Sequence, residues 1–392
     1  MRSVPVHKTK RLQQSKRGGT DTCASPSVSD RGVSRPGECC TLPAPPGVVI
    51  LYSALESTAA DPEEGLADRE TKAVARAVAR VLREHTRHRV VLLPAVSNVE
   101  LKLHPFPPAD YVIFNLFEGL DNRVGEDGRA IDDEAPAALA LESLGYRFTG
   151  ADGRALALAL NKAEAKQLLQ HGGVLTPAWS VFSTPEDVTA DAVEGLSFPL
   201  IVKPVAEDSS LAIDGNAVVS NLAGLRARVA YVTEKFRQPV LAEAFIDGRE
   251  INVAIWGNPP EALPLAEIDL SALGEPTRRI VSFAAKWEEE SVEYNQTPAI
   301  CPAALPEQLA SLIRATALRA WQIIAHGRGY GRVDLRVQGD RAYVLEVNPN
   351  PSIAADSGFT RSARAAGLDF SQMILRILSF ALEDNCADSS SR

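Results

Sequence analysis

Between Tyr330 and Ser352 the chain reads YGRVDLRVQGDRAYVLEVNPNPS. Asp334 sits in an apolar run with Val333, Leu335 and Val337, and Glu346 and Asn348 follow in a second run with Tyr343, Leu345 and Val347. Gln338-Gly339-Asp340-Arg341 separates the runs with the polarity and glycine of a hairpin turn. Two strands joined there bring Asp334 opposite Glu346, and the period-2 alternation puts Glu346 and Asn348 on one face. Two carboxylates and an amide oxygen converging in this way suit Mg²⁺, with Mn²⁺ as the alternative. Such a hard cation keeps oxygen ligands and shares them with phosphates. The competing reading, a hairpin with charges on its wet face, gives no purpose to the prolines of Asn348-Pro349-Asn350-Pro351.

Phosphate chemistry needs cations. The GxxxxGK[ST] loop is absent, so a P-loop is excluded. Lys203 ends the apolar stretch PLIVKP, where a lysine must find an anionic partner or bear a heavy desolvation cost. Arg332, two residues before Asp334, points the same way along its strand. A guanidinium there can brace a phosphate or an oxyanion. Neither a Ser/His/Asp nor a Cys/His arrangement stands out among six histidines, and His326 in AHGRGY reads as a helix end.

The elements that must position these groups alternate. Gly47–Ser53 is a short apolar strand, followed by a helix over 67–85 whose Val74, Val78, Val81 and Leu82 repeat at helical spacing. Strands at 89–93 and 111–116, a Gly/Asp-rich loop at 119–128 and a helix at 132–144 complete a first α/β domain, 47–150. Strands alternating with helices imply a parallel sheet covered on both faces. A helical stretch at 151–172 breaks around Leu160-Asn161. Strands at 179–182, 198–204, 216–220 and 239–244, with a helix at 223–236, then form a compact α+β unit, giving a central domain of 151–243. The last domain, 244–385, holds a strand at 250–256, the hairpin and a closing helix at 370–382. Three α/β units in series define the fold class.

A chain of 392 residues with 45% hydrophobic content is ample for two or three cores. Its net charge of −9 argues against nucleic acid as the main partner. The exception is basic residues 1–20, with Arg2, Lys8, Lys10, Arg11, Lys16 and Arg17. Residues 1–46, rich in Ser, Pro and Gly, read as a disordered tail, and 386–392 as a short second one. No apolar region follows the basic residues, so no secretory signal is expected. No run approaches the eighteen apolar residues of a membrane span. Cys23, Cys39, Cys40, Cys301 and Cys386 show no metal-ligand spacing, consistent with a reduced cytoplasmic protein.

GRVDL followed by LEVNPNPS resembles the C-terminal metal-binding strands of the ATP-grasp superfamily, in its D-alanine–D-alanine ligase-like branch, over roughly 47–382. The resemblance implies nucleotide held between the central and C-terminal domains, with ATP and Mg²⁺ as cofactors and a homodimer as the assembly. It implies phosphate contacts from Lys162 of NKAEAK, Lys203 and Lys286 of FAAKW. It makes Ser209 and Ser210 part of a lid over the γ-phosphate, although Asp208 and Ala212 stand where glycines are expected. Glu243, Phe245, Ile246 and Glu250 resemble the hinge that holds adenine and ribose. Glu70 and Ser209 match residues that orient the first amino acid, and Ser357 one that holds the second substrate's carboxylate.

The pocket departs from the family pattern. Trp287 replaces a tyrosine, Glu118 of NLFEG a histidine, Ser352 a glycine, and 53–57 (SALES) a Gly-Gly-x-Ser turn. Glu118 points to a cationic or amine-bearing substrate group. The resulting expectation is an ATP-dependent carboxylate–amine ligase acting through an acyl-phosphate on small amino-acid-like substrates. Two rivals remain, a true D-alanine–D-alanine ligase and a nucleotide-binding regulator that has lost catalysis.

Overall fold

The structure, a computed structural model, describes residues 46–54, 66–119, 133–207, 212–288 and 290–383. The expected N-terminal tail lies outside these residues apart from Pro46, as do the C-terminal tail, Asp208, Ser209 and Ser210.

Strand β1 (Gly47–Ser53) is fully buried, because its alternate side chains enter two different cores. Helix α1 (Leu66–His85) covers one face with Val74, Val78, Val81 and Leu82, as their helical spacing predicts. Strand β2 (Val90–Ala95), helix α2 (Val99–Leu103), strand β3 (Tyr111–Leu116), helix α3 (Glu134–Ser143) and strand β4 (Arg147–Phe148) complete the layer. The sheet order is β2-β1-β3-β4, parallel throughout.

Helices α4 (Gly153–Leu160) and α5 (Lys162–His171) break where the sequence predicts. Asn161 ends the first and caps the second, its side chain accepting from the Glu164 amide at 3.2 Å. Both helices bury their apolar residues in the core shared with the C-terminal sheet, whereas the sequence reading grouped them with the central unit.

That unit has its own core and its own sheet, ordered β5-β8-β6-β7. The strands are β5 (Trp179–Phe182), β6 (Leu200–Pro204), β7 (Val218–Val219) and β8 (Val240–Ala244), with helix α6 (Leu222–Phe236) packed on them. The strand expected over 216–220 is only the two residues of β7.

The third sheet is built from β9 (Arg249–Trp256), β10 (Glu261–Ala262), β11 (Ala266–Ile268), β12 (Ala299–Ile300), β13 (Tyr330–Gln338) and β14 (Arg341–Pro349). Its order is β12-β11-β9-β13-β14, with β10 beside β9. Short helices α7 (Phe283–Trp287) and α8 (Val292–Asn295) precede β12. Helix α9 (Glu307–Ala325) precedes β13, and α10 (Gly358–Ala365) and α11 (Phe370–Glu383) follow β14. Among the described residues no single helix is long and apolar enough to cross a membrane.

Alternation gives β13 two characters. Val333, Leu335 and Val337 enter the core beside Trp321 of α9, while Arg332, Asp334 and Arg336 face a cleft. Gly331 makes the close approach possible, since a Cβ there would lie 2.1 Å from the Trp321 ring.

Candidate active site

The cleft encloses about 930 Å³ and is lined by all three sheets' elements. That is near the upper end of the roughly 300–1,000 Å³ typical of ligand pockets.

Its floor is the β13–β14 hairpin. Asp334 pairs with Glu346, as the sequence predicts, and Arg332 pairs with Asn348. The turn is the two residues Gly339-Asp340, with Gly339 at φ +62°. A bulge follows Asp334, so Val344 rather than Leu345 pairs with Leu335. Val344 thereby enters the core, and Leu345, read from the sequence as part of the apolar run, turns to the cleft.

Both Asp334 oxygens are gripped by Arg332, Nε to Oδ1 at 2.7 Å and Nη2 to Oδ2 at 2.8 Å. Asn252 of β9 donates to Oδ1 at 2.8 Å, and the Asn348 amide to Oδ2 at 2.9 Å. The same Asn348 amide lies 3.4 Å from Glu346 Oε1, so one group touches both carboxylates. Desolvation alone would raise the Glu346 pKa. Lys162, Lys286, Lys203 and Arg332 outweigh it and hold the carboxyl down at about 2. Cations from four elements, α5, α7, β6 and β13, thus act electrostatically on one carboxylate.

Lys162 is not the surface lysine its helix position alone would make it. It is 9% exposed, its ammonium donates to the Glu207 carbonyl, and its amide bonds to the Val205 carbonyl at 3.0 Å. Lys203 meets Glu243 Oε1 at 2.5 Å, and Lys166 meets Glu243 Oε2 at 2.6 Å. Glu243, expected to reach adenine or ribose, is therefore enclosed by two lysines. Glu250 is likewise engaged, by Arg336 at 2.9 Å, and burial raises its pKa against that pairing. Arg336 also donates to the carbonyls of Gly248 and Arg279, at 3.1 and 2.6 Å. Phe245 and Ile246 line the cleft as expected. The Ala244 and Phe245 amides already bond to Ala178 and Pro199 carbonyls, at 2.8 and 3.0 Å, leaving the Ile246 amide outside these backbone bonds.

At the other end, Ser352 Oγ donates to Glu70 Oε1 at 2.6 Å, joining two expected substrate-side residues 282 positions apart. Glu118 lines the same end, its amide held by Ser53 Oγ at 2.9 Å. Ser357 caps α10, accepting from the Thr360 amide at 3.3 Å. Ala212, where relatives were expected to carry glycine, adopts φ +62°, a conformation that favours glycine.

The family model described as D-ala D-ala ligase C-terminus matches residues 168–379. The chain belongs to the D-alanine–D-alanine ligase family. A D-alanine–D-alanine ligase of Nitrosospira multiformis is 32% identical over 299 residues, covering 74% of this chain and 89% of the relative. An uncharacterized protein of Sinorhizobium fredii is 32% identical over 302 residues, covering 75% and 83%. The crystal structure of D-alanine–D-alanine ligase from Bacillus anthracis complexed with ATP superposes with a TM-score of 0.64 at 21% identity, covering 87% of this chain and 99% of that one. The architecture is the ATP-grasp fold of this family.

Four contributors to the site escaped the sequence reading. Arg336 was legible as the third member of the alternating Arg332, Asp334, Arg336 series. Asn252 and Lys166 gain their meaning only from cross-strand and helix–sheet packing. Asn350, in the left-handed region at φ 47°, accepts from the Ala151 amide at 2.8 Å and donates to Glu134 at 3.0 Å. It thereby ties the end of β14 to α3 and the start of α4.

Proposed function

We propose that this chain is an ATP-dependent carboxylate–amine ligase that forms an amide between two small amino-acid-like substrates through an acyl-phosphate. The observation that carries the reading is that Lys203, Lys286 and Arg332 line one cleft of nucleotide size together with Glu346 and, opposite it across the hairpin, Asp334. Family membership and the ATP complex of the Bacillus anthracis relative support it.

Asp334, Glu346 and Asn348 would hold Mg²⁺. The donor set fits with the Asn348 amide turned, so that its oxygen faces the ion rather than the NH2 that donates to Asp334. Two carboxylates and one amide oxygen then leave coordination positions for phosphate oxygens. When bound, the ion neutralises charge on the terminal phosphates. Phe245 and Ile246 form an apolar wall for adenine, with the Ile246 amide as a donor and Glu250 toward the ribose. Ser209 and Ser210 are proposed to close over the γ-phosphate.

A substrate carboxylate oxygen attacks the γ-phosphorus, the bond to the bridging oxygen breaks, and ADP leaves. Lys162, Lys203 and Lys286 stabilise the charge on the transferred group. The amine nitrogen of the second substrate then attacks the acyl carbon. Arg332 donates to the oxyanion, the carbon–oxygen bond to phosphate breaks, and the departing phosphate carries away the proton that the amine gives up as the amide forms. Glu70, Glu118 and Ser352 are assigned to the amino group of the first substrate, and Ser357 to the carboxylate of the second.

The narrower reading, D-alanine in both positions, is favoured by the name of the relative from Nitrosospira multiformis. Glu118 in place of histidine favours a different first substrate. ADP release from Mg-ATP with D- and L-amino acids, singly and in pairs, separates the readings. Release that needs a particular pair establishes a ligase and names its substrates. D-alanine sufficing alone selects the narrower reading. ATP binding without stimulation by any pair would contradict ligation and favour a nucleotide-binding regulator.

A further inference from the structure

Lys166 is among the most deeply buried residues of the protein, 1% exposed, yet it does not line the cleft. Its ammonium donates to Thr176 Oγ1 at 2.8 Å and pairs with Glu243 Oε2 at 2.6 Å. Glu243 Oε1 holds Lys203 at 2.5 Å, and Lys203 does line the cleft. The register explains the geometry. Ile201 of β6 pairs with Glu243 of β8, so Lys203, two residues on, lies on the same sheet face as Glu243.

A buried lysine–glutamate pair is neutral. A lysine–glutamate–lysine series carries one net positive charge. With Lys203 alone, Glu243 would cancel the ammonium that an incoming phosphate needs. We infer that Lys166 is a positioning residue for anion binding: by taking one oxygen of Glu243, it leaves the series a net positive charge beside the cleft at Lys203. The inference rests on the ligase reading only in assuming that nucleotide phosphates are the anion.

The charged groups facing Lys166 are Glu243 of β8, Lys203 of β6 and Glu346 of β14. Burial, against the pull of Glu243, lowers the Lys166 pKa to about 8. Lys203 is shifted the other way, because Glu243 and Glu346 outweigh its burial. The charge added by Lys166 is therefore present below about pH 8 and lost above it.

The test is ADP affinity by calorimetry, with chelator present so that only protein cations act. Lys166→Met makes the series neutral and is expected to weaken ADP binding on the order of tenfold, the scale of one unit charge roughly ten ångströms away at an effective dielectric near 20. The double variant Lys166→Met/Glu243→Gln restores one net positive charge and is expected to recover affinity to within about threefold of wild type by the same charge count. A merely structural role for Lys166 predicts the opposite, since the double variant removes more of the network. Unchanged affinity in Lys166→Met, or a double variant no tighter than the single, overturns the inference. Should the variants fail to fold, the wild-type protein still decides. Its ADP affinity is expected to fall as pH rises from about 7 to about 9, and a flat profile overturns the inference. Wild-type protein that binds ADP neither with chelator nor with Mg²⁺ overturns both this inference and the ligase reading; binding that needs Mg²⁺, or normal binding that ignores Lys166, overturns this one alone.

Discussion

Arg332 and Asp334 form a two-pronged ion pair along a single strand, at 2.7 and 2.8 Å, with Asp334 simultaneously facing Glu346 across the hairpin. The proposed oxyanion donor and the proposed cation ligand are thus one preorganised unit. Any cation taken by Asp334 must share its oxygens with the guanidinium. Asn252 and Asn348 fix the carboxylate from both neighbouring strands, so its position does not depend on Arg332 alone.

Arg332→Met is expected to lower kcat by about 10²–10³, the usual effect of removing one oxyanion donor. The KM for ATP should change far less, because the loss falls on the second step. Steady-state kinetics with the substrate pair measures both. A variant whose KM rises while kcat holds would move Arg332 from the oxyanion to ground-state binding.

Glu346 gives a pH dependence with a definite sign. Its folded pKa, about 2, lies below the ordinary carboxylate value near 4.3. The stabilisation is therefore complete above the unfolded value and is lost as pH falls through the folded one. The melting temperature of wild type should exceed that of Glu346→Gln by its full margin above about pH 5, and the gap should close toward pH 2. Thermal melts across that window check it; a gap independent of pH would show that the surrounding cations do not hold the carboxylate charged.

Gly331 tests the packing beneath the site. A Cβ there meets Trp321 at 2.1 Å, and the tryptophan is completely buried. Gly331→Ala is expected to cost about 1–3 kcal/mol, the range for overpacking a filled core. It should also impair catalysis by displacing the adjacent Arg332. Urea unfolding and kcat measured on the same preparation decide this, and an unaffected stability would contradict the described contact.

Much of this was legible before the structure. The hairpin that sets Asp334 opposite Glu346, the helix break at Asn161, the parallel first sheet and the lysine at the end of β6 all follow from period, caps and the desolvation cost of a charge in an apolar run. Tertiary pairing was not legible. Glu243 reads from sequence as a hinge residue for adenine and ribose because its ion-pair partners lie 77 and 40 residues away, at Lys166 and Lys203. Leu345 reads as core until the bulge after Asp334 shifts the register. The link between Glu70 and Ser352 joins residues 282 positions apart in sequence and has no local signal.

Asn350 separates side-chain bonding from backbone conformation. Asn350→Ala loses the bonds to Ala151 and Glu134 and places alanine at φ 47°. The two losses together are expected to cost about 2–4 kcal/mol. Asn350→Gly keeps the conformation and should be less destabilised, by about 1 kcal/mol. Equal unfolding midpoints for the two variants would contradict a backbone contribution.

The acyl-phosphate is the centre of the account, and oxygen-18 tests it most directly. The carboxylate substrate identified by the pair assay is labelled on both carboxyl oxygens and turned over with Mg-ATP. Attack of that carboxylate on the γ-phosphorus, followed by loss of phosphate to the amine, predicts one labelled oxygen in every phosphate released. Unlabelled phosphate, with amide still formed, would contradict the account.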